Sequence, residues 1–232
     1  MTTLNITRHI ELFNPHRFDH PVTIIGAGAT GSWLALMLAK LGITNIAVWD
    51  FDVVKEHNIP NQAYSYANYD SEDLYGFINM PKVEALQEII RAHTGADKYI
   101  TVYNQAFTNQ RLAGIVFLMV DSMAERKRIW ENSIRMKPNV KLLVEPRMGL
   151  DMGRIYNVIP TDLNHVQAWE DTLYDDDTAE VSACGASMSV ITTATGIASW
   201  CARQLINFHN NEELDNEILI DFKHNNIVTT RW

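Results

Sequence analysis

Short apolar, β-branched runs recur along this chain, each followed by a turn signal and then by apolar positions at helical spacing. Residues 22–25 (Val-Thr-Ile-Ile) predict a buried strand, Gly26 to Gly31 a tight turn, and residues 32–40 a helix closed by Gly42. Residues 45–50 predict a second strand, followed by a long polar loop rich in Asn, Tyr and Asp that ends at Pro81. Pro81 takes the first position of a helix whose spacing runs through residues 82–90. Further on, residues 99–103 predict a strand, 108–112 a short helical turn and 115–120 a buried strand. Asp121-Ser122 caps a helix over 123–136 with Glu125, Arg126, Lys127 and Arg128 on its wet face. Strands over 140–145 and 153–159 follow, turning antiparallel after Gly149. Residues 162–180 predict an exposed acidic crossover without apolar periodicity. Residues 183–208 predict a long helix of small residues, and 217–222 with 227–230 a closing hairpin.

Strands alternating with helices imply an α/β fold. The expected form is a Rossmann-like, mostly parallel sheet with helices on both faces and an antiparallel C-terminal extension. No internal repeat or clean boundary divides the 232 residues, so one domain is expected. Within it, 1–20 form an N-terminal arm, 21–160 a nucleotide-binding core, 161–182 the acidic crossover and 183–232 the last helix and hairpin. The arm places Ile6, Ile10, Leu12 and Phe13 at helical spacing and carries Arg8.

Composition narrows the function. The chain is 47% hydrophobic with a formal net charge of −9, and its pI is near 5.3. That balance argues against sequence-independent nucleic-acid binding, which relies on clustered cations. The apolar run near residues 33–41 is too short for a membrane span, and no secretory leader pattern opens the chain, so a soluble cytoplasmic protein without a membrane partner is expected. Cys184 and Cys201 cannot form a disulfide framework or supply four zinc ligands.

The candidate chemistry gathers around the first turn. Gly26, Gly28, Ala29, Thr30 and Gly31 stand where a Gly-x-Gly-x-x-Gly loop lets a phosphate approach main-chain N–H groups at a helix N-terminus. Asp50 ends the second strand at the distance expected of a ribose-binding carboxylate, with Asp52 beside it. Asn58, Asn61, Gln62, Lys82 and Asp121 follow. A hydride-transfer enzyme needs the ribose acid but has no use for this string. An ATP site does: amides for phosphate oxygens, a lysine beside the phosphates and an aspartate to hold Mg²⁺.

These segments resemble the ThiF/MoeB/HesA family, relatives of the ubiquitin-activating enzymes. The resemblance rests on the Gly-rich loop, Asp50-Phe-Asp52, Asn58-Ile-Pro-Asn61-Gln62, Pro81-Lys82-Val-Glu84, Val120-Asp121-Ser122 and the N-terminal Arg8-His-Ile. It implies formation of an acyl-adenylate from ATP and a C-terminal carboxylate, of a ubiquitin-like protein or a peptide, by a homodimer. It also implies roles: ribose binding for Asp50, phosphate contacts for Asn58, bridging of phosphate oxygens for Lys82 and Mg²⁺ binding for Asp121. Arg8 would reach the ATP of the other subunit.

Departures from the pattern matter. Asn61 stands where the family has an arginine, and an amide cannot neutralise phosphate charge. Ser122 replaces an asparagine, and the paired Cys-x-x-Cys motifs are absent, so zinc is not expected. Arg147 is a candidate replacement cation. Cys184 falls where some members carry a cysteine used in sulfur or thioester chemistry. A helix N-terminus favours its thiolate, while packing of a small-residue helix is the competing role. Cys201, Trp33 and Trp200 are expected in the core, His57 and His93 at the surface or in caps, and Asp175, Asp176 and Asp177 in a solvated loop. Besides the adenylyltransferase, two readings stay open. One is a catalytically weakened nucleotide-binding or scaffolding subunit, and the other is an NAD-dependent oxidoreductase.

Overall fold

The computed structural model describes residues 4–66, 76–95, 99–175 and 189–232. Its eight strands form one sheet in the order β3-β2-β1-β4-β5-β6-β7-β8. In chain order these are β1 Val22–Ile25, β2 Ile46–Asp50, β3 Ile100–Asn104, β4 Gly114–Leu118, β5 Val140–Met148, β6 Met152–Val158, β7 Glu217–Asp221 and β8 Asn226–Thr230. The first five pair in parallel. The remaining pairings, β5 to β8, are antiparallel. The central parallel strands β1 and β4 are rich in Val, Ile and Leu because both faces are covered: each is buried at every position, whereas edge strand β3 is largely exposed.

Helices α1 Ala29–Lys40, α2 Lys82–Thr94 and α5 Ile191–His209 cover one face. Helix α1 lies between the sheet, α2 and α5, so Leu34, Leu36 and Leu38 are buried all round it rather than along a stripe. On the other face lie α3 Met123–Ile129 and α4 Leu163–Glu170. There Trp130 and Trp169 meet with ring centroids 4.4 Å apart. Among the described residues no helix is long and apolar enough to cross a membrane.

Several local expectations change. Helix α2 starts one residue later, with Pro81 as its cap in extended ψ and its carbonyl accepting from Glu84 and Ala85. The helix expected over 123–136 gives way after Ile129 to a π-helical turn, Trp130–Ile134. Arg126 does not lie on a wet face: it is buried and paired with Glu145 on β5. Residues 108–112 form no helical turn. Arg128 instead donates to the carbonyls of Phe107 and Thr108, and the Gln110 side chain accepts from Thr108 N–H, while Phe107 and Leu112 pack inward. The acidic crossover contains α4, because Asp162 accepts from the N–H groups of Asn164 and His165 and Val166 and Trp169 are buried one turn apart. The last helix begins at Ile191, and Cys184, Asp176 and Asp177 lie outside the described residues.

Leu38 has no solvent exposure in the α1 layer. Its replacement by alanine is expected to lower stability by about 2–5 kcal/mol, read as a lower urea midpoint with an unchanged denaturant slope.

Candidate functional site

Strand order reverses between β1 and β4: the chain leaves β1 for β2 and β3 on one side and returns to β4 on the other. A crevice opens beyond the C-terminal ends of strands at such a switch point. The loop from Gly26 to Gly31 crosses it. Gly26 holds φ +101°, and a Cβ there would lie 2.5 Å from the Met119 carbonyl oxygen. At Gly31, inside the first turn of α1, a Cβ would lie 2.0 Å from the Gly26 carbonyl oxygen. Gly28 caps α1 at an ordinary φ of −78°, and a Cβ there would meet nothing within 4 Å. Two glycines therefore serve close backbone packing, and the third faces open space at a helix N-terminus, where first-turn N–H groups lack intrahelical acceptors.

Asp50, at the end of β2, accepts from Ala27 N–H at 2.6 Å and from Asp52 N–H at 2.8 Å. Its carboxylate thus ties the glycine loop to the segment that follows β2. Tyr64 closes the same loop from behind, donating to the Ala27 carbonyl at 2.8 Å. Burial, then the charges of Asp50 and Asp52, push its phenol well above the usual tyrosine range, so the hydroxyl keeps its proton. Lys82, buried at the start of α2, places Nζ 2.9 Å from Asp52 and donates its backbone N–H to the Asp52 carbonyl at 2.8 Å. Asp50, Asp52, Lys82 and the glycine loop are therefore brought together.

The polar loop is packed against α1. Trp33 Nε1 donates to the Asn61 carbonyl at 3.1 Å, and Ser32 Oγ accepts from Ala63 N–H at 3.0 Å. Asn58 is buried, and its side-chain oxygen accepts from Lys55 N–H at 2.9 Å, closing a short turn. The Asn61 amide donates to Ser189 Oγ. Asn61 Oδ1 and Gln62 Oε1 are buried with no hydrogen-bond partner among the described residues.

Asp121 lies three residues past β4, on the opposite flank of the crevice from Asp50, and is exposed. Met148, at the end of β5, approaches Thr30 Oγ1 at 4.0 Å. Arg147 lies within β5 and is engaged by Glu145 at 3.0 Å, by Thr172, and by the Tyr156 ring 4.5 Å below its guanidinium. It is no unpaired replacement cation. Arg8 is exposed in a turn that packs on the far end of α1, where His9 contacts the Leu41 carbonyl. The 12-residue helix separates that end from the glycine loop by about 18 Å, so Arg8 does not join this crevice within its own chain. His57 is exposed. His93 touches Lys40, and partial burial followed by the Lys40 charge lowers its pKa. Cys201 is buried in α5, which pushes its thiol far up and keeps it inert. Among the described residues no three His, Cys, Asp or Glu side chains gather as a metal cluster. A single exposed carboxylate such as Asp121 fits Mg²⁺ that arrives with phosphates.

Sequence reasoning missed Tyr64, Ser32 and the hydrogen bond of Trp33, which is partly buried against the core rather than within it and finds a partner for its indole N–H. It also missed Glu145, although an acid inside Leu142-Leu-Val-Glu145 is itself a signal.

The model described as ThiF family matches residues 17–232. No curated protein sequence matches the chain. Among solved structures, PaaA superposes with a TM-score of 0.68 at 14% identity, covering 100% of this chain and 75% of that one. E. coli MccB superposes with a TM-score of 0.69 at 13% identity, covering 100% and 70%. MccB with ATP gives 0.64 at 14%, covering 94% of this chain and 65% of that one. The chain thus spans about two thirds of MccB and three quarters of PaaA. At these identities the likeness speaks for the fold.

The glycines separate experimentally. Gly28→Ala is expected to lose no more than about 1 kcal/mol, the preference for glycine over alanine at a helix cap. Gly31→Ala is expected to lose about 1–3 kcal/mol or more through overpacking against backbone. Thermal unfolding of the two variants side by side checks this.

Proposed function

The chain belongs to the ThiF family, and from that premise we propose that it is an ATP-dependent adenylyltransferase. It activates a C-terminal carboxylate, of a ubiquitin-like protein or a peptide, as the acyl-adenylate. The observation that carries the reading is Lys82: a buried ammonium at the head of α2, linked through Asp52 and Asp50 to a glycine loop with open space at Gly28. Dinucleotide oxidoreduction has no task for that ammonium. Adenylation does, because a carboxylate must approach a triphosphate of like charge.

In the proposed reaction a carboxylate oxygen attacks the α-phosphorus of ATP. A new O–P bond forms as the bond to the bridging oxygen breaks, and pyrophosphate leaves with that electron pair. The first-turn N–H groups of α1 take phosphate oxygens, Asp50 takes the ribose hydroxyls, and Lys82 shares its charge between Asp52 and the phosphates. Mg²⁺, held by Asp121 and the phosphates, supplies charge neutralisation when bound. Because Arg8 sits at the far end of α1, we assign it to the crevice of a second copy in a homodimer. There a trans arginine is worth on the order of 10³–10⁵ in rate, judging from other phosphoryl-transfer systems. The MccB structures with ATP and with N-formylated MccA place a nucleotide and a second ligand on this fold. The proposed reaction needs the same two kinds of ligand here.

A second reading has its own observation. Asn61 carries no charge where the family has an arginine, and its amide is directed at Ser189. A subunit that binds ATP yet turns it over weakly would look like this. ATP–pyrophosphate exchange with Mg²⁺ and a pool of peptides bearing free C-terminal carboxylates separates the readings. The adenylyltransferase is expected to exchange, with Lys82→Ala and Asp121→Ala each lowering the rate about 10²–10³-fold. ATP binding without exchange supports the weakened subunit, and NADH binding without ATP binding contradicts both.

A further inference from the structure

Behind Asp121 lies a buried charge cluster. Glu145 on β5 has no solvent exposure. It contacts Arg126 of α3 at 2.8 Å and Arg147 at 3.0 Å, with side-chain exposures of 5% and 10% for the two arginines. Trp169 Nε1 donates to the same carboxylate at 3.1 Å. Two guanidiniums thus share one carboxylate. Arg147 is further held by Thr172 and two tyrosine rings. Arg126 directs Nη2 at the Val120 carbonyl, 2.6 Å away, and its Nε, although close to Glu145, lacks a well-aligned acceptor. Buried ion pairs contribute little net stability compared with apolar packing, so a second cation on an already paired carboxylate calls for another explanation.

That explanation is the bond to Val120. Its carbonyl belongs to the peptide plane joining Val120 to Asp121, beyond the last residue of β4, where the sheet's ladder no longer fixes the backbone. We propose that Arg126 is a positioning residue: anchored by Glu145, it locks the Val120–Asp121 peptide and aims the Asp121 carboxylate into the crevice. The inference rests on the adenylyltransferase reading and deepens it, since outer partners that orient a metal-binding carboxylate typically change metal affinity 10–100-fold.

Arg126→Met tests it, because the substitution leaves Glu145 paired with Arg147 and removes the surplus cation. ATP affinity is measured by calorimetry with Mg²⁺ and with EDTA, on the wild type, Arg126→Met, Asp121→Ala and the double variant. The expected result is a loss of about ten-fold or more in affinity with Mg²⁺, no change beyond two-fold with EDTA, and a melting temperature close to the wild type's. The double variant should bind no worse than Asp121→Ala alone, because one residue acts through the other. Additive losses, or equal losses with and without Mg²⁺, overturn the proposal. So does failure of both Arg126→Met and Arg126→Lys to fold, which would make Arg126 a structural residue. A wild type that binds no ATP under either condition defeats the adenylyltransferase reading and this inference with it. A Mg²⁺ gain that Arg126→Met retains defeats the inference alone.

Discussion

The close approach of backbone to backbone at Gly26 and Gly31 is the constraint on which the rest depends. With no side chain at either position, the first turn of α1 rests on the loop that leaves β1, and that loop rests on the chain leaving β4. Any Cβ would drive these segments apart, and α1 could not then pack between the sheet, α2 and α5. The same approach opens the crevice at the switch point and turns the helix N-terminus toward it. Fold and site share one steric requirement.

Charge is organised around that crevice from two sides. On the β2 side, Asp50 fixes the glycine loop and the backbone at Asp52, and Asp52 holds Lys82. On the β4 side, Glu145 collects Arg126 and Arg147 behind Asp121. In a chain of net charge −9, three buried or nearly buried cations near the strand ends are a local departure from the overall balance. Each is held by a carboxylate, as burial of a charge requires. Of the three only Lys82 lies beside the glycine loop, so an incoming triphosphate would meet one cation already oriented, which is how electrostatic catalysis avoids reorganisation during the reaction.

Much of this was legible in the sequence because local rules carry it. The Val22–Ile25 strand, its glycine turn, Asp50 and the antiparallel return after Gly149 follow from residue type and spacing, and they appear where expected. What escaped depended on partners distant in the chain. Arg126 looks like one charge among four on a helix face until Glu145, nineteen residues on, claims it. Helix α4 hid within an acidic stretch, because its burial rests on two side chains, Val166 and Trp169, and Trp169 packs on Trp130 from another element. A better reading of Asp162 as a cap would have found it. Tyr64 was lost among the other polar residues of the long loop, although its burial makes it the rear wall of the glycine turn.

The central claim is that a nucleoside triphosphate occupies the crevice between the ends of β1 and β4. Hydrogen–deuterium exchange with and without Mg²⁺ and ATP tests it most directly, since the first-turn amides of α1 would take phosphate oxygens and the segment of Asp121 would close on the bound Mg²⁺. The account predicts slowed exchange across residues 26–31 and 119–122 with ATP and not with NADH. Unchanged exchange in both segments at saturating ATP, or protection by NADH alone, would contradict it.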